Sequence, residues 1–167
     1  MNGEPPSLEV AILVGLPGSG KTSFVRARLA GHAHVSKDLM RSTRDRNPRQ
    51  LALVAQALAA GRSVVVDNTN LRSTDRAPLI AAARAAGAKV VGYFFDATAK
   101  ECLARNRARE GKARVPDVAI RRPRAARATH TRGGLRRALH RDRRGRGVSA
   151  PRRLEELQTR ERRRAFL

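Results

Sequence analysis

A chain of 167 residues is long enough for one domain around a single hydrophobic core and short for two. Its 36 Lys and Arg against 14 Asp and Glu give a formal net charge of +22, which predicts attraction to polyanions, nucleic acid among them. One cysteine, Cys102, excludes an internal disulfide framework and an all-cysteine metal site and fits a cytoplasmic setting, while the absence of a long apolar run or a signal-peptide pattern in 1–8 argues against membrane insertion and export.

In chain order, Val10 to Val14 reads as a buried first strand between turn residues. Gly15-Leu16-Pro17-Gly18-Ser19-Gly20-Lys21-Thr22 follows, a phosphate-binding loop (Walker A) pattern with two glycines five apart, then Lys and Thr. The context fits, because an apolar strand precedes the loop and a helical stretch, Lys21 to Leu29, follows it. Glycines let backbone N–H groups turn toward phosphates, and the helix N-terminus adds positive partial charge. Gly15, Pro17, Gly18, Ser19, Gly20, Lys21 and Thr22 are therefore the candidate nucleotide-binding set. Lys21 is expected to bridge the β- and γ-phosphates of ATP from a side chain projecting out of the core, and the Thr22 hydroxyl to ligate Mg²⁺.

Ala33 to Val35 reads as a weaker strand, followed by Ser36-Lys37-Asp38-Leu39-Met40-Arg41. The three-residue spacing puts Asp38 and Arg41 on one side of a helical turn, Asp38 to accept a proton from a hydroxyl and Arg41 to hold an acceptor phosphate. The bland alternative is a solvated helix start with Asp near its N-terminus. Pro48 to Ala60 reads as a helix closed by Gly61. Ser63 to Val66 is the next strand, ending in Asp67-Asn68-Thr69-Asn70. Asp67 is placed for a water-bridged Mg²⁺ contact. Asn68, Thr69 and Asn70 are expected to cap the following helix, Thr74 to Ala86 closed by Gly87, with Asn70 also a candidate on the acceptor side.

Lys89 to Phe95 is a further core strand, and Ala99 to Arg109 a helix ending before Gly111. Arg105 and Arg109 are four apart on it. Two guanidiniums aimed together repel unless an anion lies between them, which suits a lid over phosphates near 99–114; a basic solvated face is the bland alternative. The alternation of strands and helices predicts an α/β fold, a P-loop NTPase three-layer sandwich on a parallel sheet with right-handed crossovers.

Gly15 to Thr22, Asp38 with Arg41, Asp67 to Asn70, and Arg105 with Arg109 before Val115-Pro116 together resemble the kinase domain of polynucleotide 5′-hydroxyl kinases and the wider zeta-toxin-like P-loop kinases. The resemblance covers about residues 8–120 and implies an ATP- and Mg²⁺-dependent kinase with a nucleic-acid 5′-hydroxyl end as acceptor. It implies that Asp38 is the general base, that Arg41 contacts the acceptor strand and that Arg109 contacts the ATP phosphates. Relatives with the Asp-Asn-Thr-Asn motif act on other hydroxyls, so a small-molecule kinase stays open, as does a non-catalytic basic protein. No Asp-x-Asp phosphatase signature occurs, so a companion phosphatase or ligase is expected on another chain.

Composition breaks near Ile120. Residues 1–120 carry 19 basic and 10 acidic side chains, net +9, whereas 121–167 carry 17 and 4, net +13, with every basic residue an Arg. The expected domains are a kinase unit, 1–120, and a non-native or disordered tail, 121–167. Read one base later with freely chosen third bases, the codons of 127–143 spell Glu-Pro-Pro-Thr-Arg-Ala-Glu-Gly-Phe-Asp-Ala-Leu-Tyr-Thr-Val-Thr, similar to the segment that follows the lid in these kinases. A frameshift near Ile120 is the expectation, with a true basic arm for nucleic acid as its rival. Loss of a fifth strand is expected to leave the fourth with an open edge.

Overall fold

The computed structural model describes the backbone of residues 7–41, 44–121 and 138–139. Five strands, β1 (Glu9–Val14), β2 (Ala33–Val35), β3 (Val64–Val66), β4 (Lys89–Phe95) and β5 (Ala138–Leu139), form one sheet in the order β2-β3-β1-β4-β5. Every pairing is parallel. Five helices are α1 (Lys21–Arg28), α2 (Arg46–Ala59), α3 (Ser73–Ala85), α4 (Ala99–Arg107) and α5 (Asp117–Arg121).

Alternation along the strands divides the core in two. Val10, Ile12, Val14, Val64 and Val66 pack with Val54 and Leu58 of α2 and Leu79 and Ala83 of α3. Ala11, Leu13, Val65 and Tyr93 point the other way and pack with Phe24 and Val25 of α1, Phe24 lying 4.8 Å from the Tyr93 ring between centroids. Val10–Val14 and Val64–Val66 are apolar throughout because helices cover both faces there. The crossover through α1 runs outward to β2 on one face, and those through α2 and α3 run back on the other, so all three share one hand. The expected three-layer architecture is the one observed, and Gly61 and Gly87, with φ of 69° and 64°, close α2 and α3 as expected.

Apart from shifts of one or two residues at element ends, three features differ from the sequence reading. The first lies at α4, which ends at Arg107, so Arg109 stands beyond the helix. The cause is Asn106: fully buried, it donates to the Val115 carbonyl (2.7 Å) and accepts from the Val115 N–H (3.1 Å), turning the chain back on itself. A fifth helix then follows, with Ile120 fully buried. Finally, β4 is not left with a wholly open edge, since Ala138–Leu139 pairs with Phe94–Phe95 at its C-terminal end. The remainder of the expected tail lies outside the described residues.

Candidate active site

All the singled-out residues follow the C-terminal ends of strands, where an open α/β sheet places its crevice. β1 runs into the loop 15–20 and then α1, whose N-terminal residue is preceded by Gly20 at φ 97° with no side-chain cap, so the first N–H groups of α1 remain for an anion. Gly15 has no room for a side chain: a Cβ there would lie 2.9 Å from both Phe95 Cβ and Ser19 Oγ. Its N–H donates to the Thr69 carbonyl (3.0 Å), tying the loop to the end of β3.

Lys21 departs from expectation. Rather than projecting outward it is buried, with Nζ donating to the carbonyls of Gly15 (2.9 Å) and Leu16 (2.7 Å) inside the loop. Burial pushes its pKa down to about 8, opposed by Asp67, Cys102 and Asp38 and assisted by Arg109. Desolvation lowers the pKa without neutralising the amine at pH 7, and an incoming polyphosphate would raise it again.

The Thr22 hydroxyl donates to Asp67 Oδ2 at 2.7 Å, bringing the two candidate Mg²⁺ residues together across 45 positions of sequence. Among the described residues there is no group of three or more His, Cys, Asp or Glu able to hold a metal. A hydroxyl and a carboxylate oxygen fit a hard cation that takes its other ligands from phosphates and water, as Mg²⁺ does. His34 is a residue the sequence reading missed; its Nε2 lies 3.2 Å from Asp67 Oδ2. Its only sequence signal is alternation in β2, which sets the His34 side chain apart from Ala33 and Val35.

Asp38 sits in a 3₁₀ turn, Lys37–Leu39, and is exposed. Met40 is extended, so Arg41 leaves the turn and does not share a helical face with Asp38; it is exposed beside it in the chain. The backbone of the turn is gripped from both sides: Ser36 Oγ accepts from Asp38 N–H (3.3 Å) and Asn68 Oδ1 from Lys37 N–H (2.9 Å).

Asn68 and Asn70 do not cap α3. Asp75, inside the helix, accepts from the N–H of Arg72 (3.1 Å). Asn70, in a left-handed conformation (φ 43°), is buried and gives its amide to the Leu13 carbonyl (2.9 Å). This braces β1 against the loop after β3 and takes Asn70 away from the acceptor side. Arg76, also buried, donates to the carbonyls of Asn70 (2.8 Å) and Leu71 (3.0 Å) and holds that loop from α3.

From the lid, Arg105 Nη1 reaches the Gly18 carbonyl (3.4 Å). Arg109, past the helix end, donates to the Ala113 carbonyl (3.4 Å). The two are not on one helical face. Burial holds the Cys102 thiol above its usual range, and Arg105, Lys21 and Arg109 each pull it back down. None of these three cations forms an ion pair among the described residues.

The family described as the AAA domain matches residues 10–132. A protein of Acanthamoeba polyphaga mimivirus named as a bifunctional polynucleotide phosphatase/kinase is 35% identical over 69 residues, which is 40% of this chain and 15% of that protein. A chain in the structure of the Pnkp1/Rnl/Hen1 RNA repair complex superposes with a TM-score of 0.60 at 25% identity, covering 72% of this chain and 44% of that one. This chain therefore matches less than half the length of either. Mycobacterium tuberculosis APS kinase CysC, with AMPPNP and APS, superposes with a TM-score of 0.51 at 22% identity over 94% of this chain and 96% of its own, a likeness of fold. With its phosphate loop, paired Thr22 and Asp67 and Arg105 reaching the loop from α4, the chain belongs to the AAA domain family and has the P-loop kinase fold.

Proposed function

We propose that this protein is an ATP-dependent kinase that transfers the γ-phosphate of ATP to the 5′-hydroxyl end of a polynucleotide. The observation that carries the reading is the phosphate loop itself, with the uncapped N-terminus of α1 behind it, the Thr22 hydroxyl on Asp67 (2.7 Å) and the Arg105 guanidinium against the Gly18 carbonyl (3.4 Å). Free helix N–H groups with a guanidinium beside them suit a phosphate-bearing ligand.

In this reading the loop amides and Lys21 hold the β- and γ-phosphates, and Arg105 and Arg109 stabilise charge spread over the transferring group. Thr22 and Asp67 would hold Mg²⁺, which supplies neutralisation of the β- and γ-oxygens when bound. Asp38 takes the proton of the acceptor hydroxyl as its oxygen bonds to the γ-phosphorus; the bond from that phosphorus to the bridging oxygen breaks, and ADP leaves. Arg41, exposed two residues beyond Leu39, holds an acceptor phosphate. The polynucleotide acceptor is supported by the named mimivirus relative, by the RNA repair structure and by the net charge of +22.

The test is phosphate transfer from γ-labelled ATP by purified protein to 5′-hydroxyl RNA, to 5′-hydroxyl DNA and to a panel of hydroxylated metabolites. Label on a polynucleotide end supports the reading; label on a metabolite alone moves the acceptor to a small molecule, and no transfer in the presence of nucleic-acid binding removes the catalytic reading. Asp38→Asn should bind ATP as the parent does and transfer about 10² more slowly or worse.

A further inference from the structure

The turn that carries Asp38 is held by an amide pair, one member of it buried, reaching it from two other elements. Asn68, in the loop after β3, accepts the Lys37 N–H through Oδ1 at 2.9 Å and donates through Nδ2 to Gln50 Oε1 at 2.8 Å. Gln50 lies on α2 and is only 4% exposed, in a helix whose other buried residues, Val54 and Leu58, are apolar. A buried amide in an apolar stripe is costly unless its polar atoms are used. Here an oxygen of that amide fixes which way the Asn68 side chain faces, since only with Nδ2 toward Gln50 does Oδ1 face Lys37. Asp38 itself is exposed, and no side-chain hydrogen bond to its carboxylate is among those found in the described residues. Its placement is therefore decided by the backbone beneath it.

We propose that the Gln50–Asn68 pair positions Asp38 for proton abstraction, so that Gln50 and Asn68 are positioning residues for the acceptor side and not for the nucleotide. This rests on the reading of Asp38 as the base. Neither amide touches the loop 15–20 in the described hydrogen bonds.

The experiment is a double-mutant cycle in the transfer assay with 5′-hydroxyl oligonucleotide, on folded protein well below its thermal midpoint. Gln50→Met keeps length and apolar packing and removes the acceptor oxygen. It should lower kcat by between about tenfold and a hundredfold, the range for a displaced catalytic group, with the KM for ATP within about twofold of the parent. In an Asp38→Asn background the same substitution should have no further effect, because a misplaced base and an absent one are equivalent. Asn68→Ala, which breaks both bonds, should behave alike and serves if Gln50→Met does not fold. The proposal is overturned if Gln50→Met transfers at the parent rate, if its loss multiplies with that of Asp38→Asn, or if the KM for ATP rises in step with the fall in kcat. A parent-like rate in Asp38→Asn alone would instead remove the reading of Asp38 as the base, which the cycle thus separates from failure of the positioning.

Discussion

The Cα of Gly18 lies against the backbone of Cys102: a side-chain carbon built on Gly18 would come within 2.8 Å of the Cys102 carbonyl oxygen. The lid helix α4 is thus seated on the phosphate loop through backbone, which no side-chain rotation can relieve, and Gly18 also has φ 80°. Gly20, at φ 97°, has nothing within 4 Å of its would-be side chain. The two positions predict different costs. Gly20→Ala should lose about 1–2 kcal/mol of stability through backbone conformation alone. Gly18→Ala should lose more, by a further amount of about 1–3 kcal/mol for overpacking, and should weaken ATP binding as α4 is pushed off the loop. Thermal unfolding of both variants beside ATP titration checks the order; equal losses would mean that α4 yields freely.

Lys21 makes the site sensitive to pH in a definite direction. In the free protein its pKa is lowered from 10.5 to about 8, mainly by burial, so above pH 8 the amine is increasingly neutral before nucleotide arrives. Polyphosphate favours the ammonium, so ATP binding above pH 8 should take up a proton and weaken by up to about tenfold per pH unit. Titration calorimetry at pH 8.5 in two buffers of different ionisation heat reads the uptake, which should vanish in Lys21→Met. The same shift bears on stability: between pH 8 and 10.5 the unfolded chain holds this proton and the folded one has released it, so the contribution of Lys21 to stability rises with pH across that window.

Asp67 accepts from the Thr22 hydroxyl and raises the Lys21 pKa through its charge. Asp67→Asn keeps an acceptor oxygen for the Thr22 hydroxyl and removes the charge. The Mg²⁺ concentration for half-maximal transfer should rise on the order of tenfold to a hundredfold. The Lys21 pKa should fall further, because Asp67 is the largest influence raising it, and proton uptake on ATP binding should begin at lower pH. An unchanged Mg²⁺ dependence would leave Asp67 as a brace for Thr22 alone.

Arg109 stands on the stretch after α4 whose course is set by Asn106 and Val115. If its guanidinium meets charge that develops during transfer, Arg109→Ala should lower kcat far more than it raises the KM for ATP. Asn106→Ala should lower kcat in the same sense and also reduce the thermal midpoint, because it removes both partners of the part-buried Val115 peptide group. Steady-state kinetics on both variants separates this from ground-state nucleotide binding, which would appear in KM alone.

Much of this was legible in the sequence, and for a local reason. The spacing from Gly15 to Thr22, the apolar runs that became β1, β3 and β4, and the glycines ending α2 and α3 depend on turn geometry and on burial patterns a few residues long, and those survive in the linear chain. Asp67 was legible as the first polar residue after a strand of three valines. The contacts that bring the site together were not. That Thr22 meets Asp67, that Lys21 folds back onto the loop carbonyls, and that Gln50 supports the Asp38 turn through Asn68 are pairings 45, 6 and 5, and 18 and 31 residues apart, which parallel strand order and helix placement decide. Asn70 shows the limit most plainly. As an amide after a strand it suits a cap or an acceptor contact equally, and only the approach of β1 spends it on the Leu13 carbonyl. Sequence determined which chemistry is present at the strand ends; the packing of three layers decided which of those groups are buried braces and which face the phosphates, because burial and the competition for hydrogen-bond partners are properties of the assembled fold.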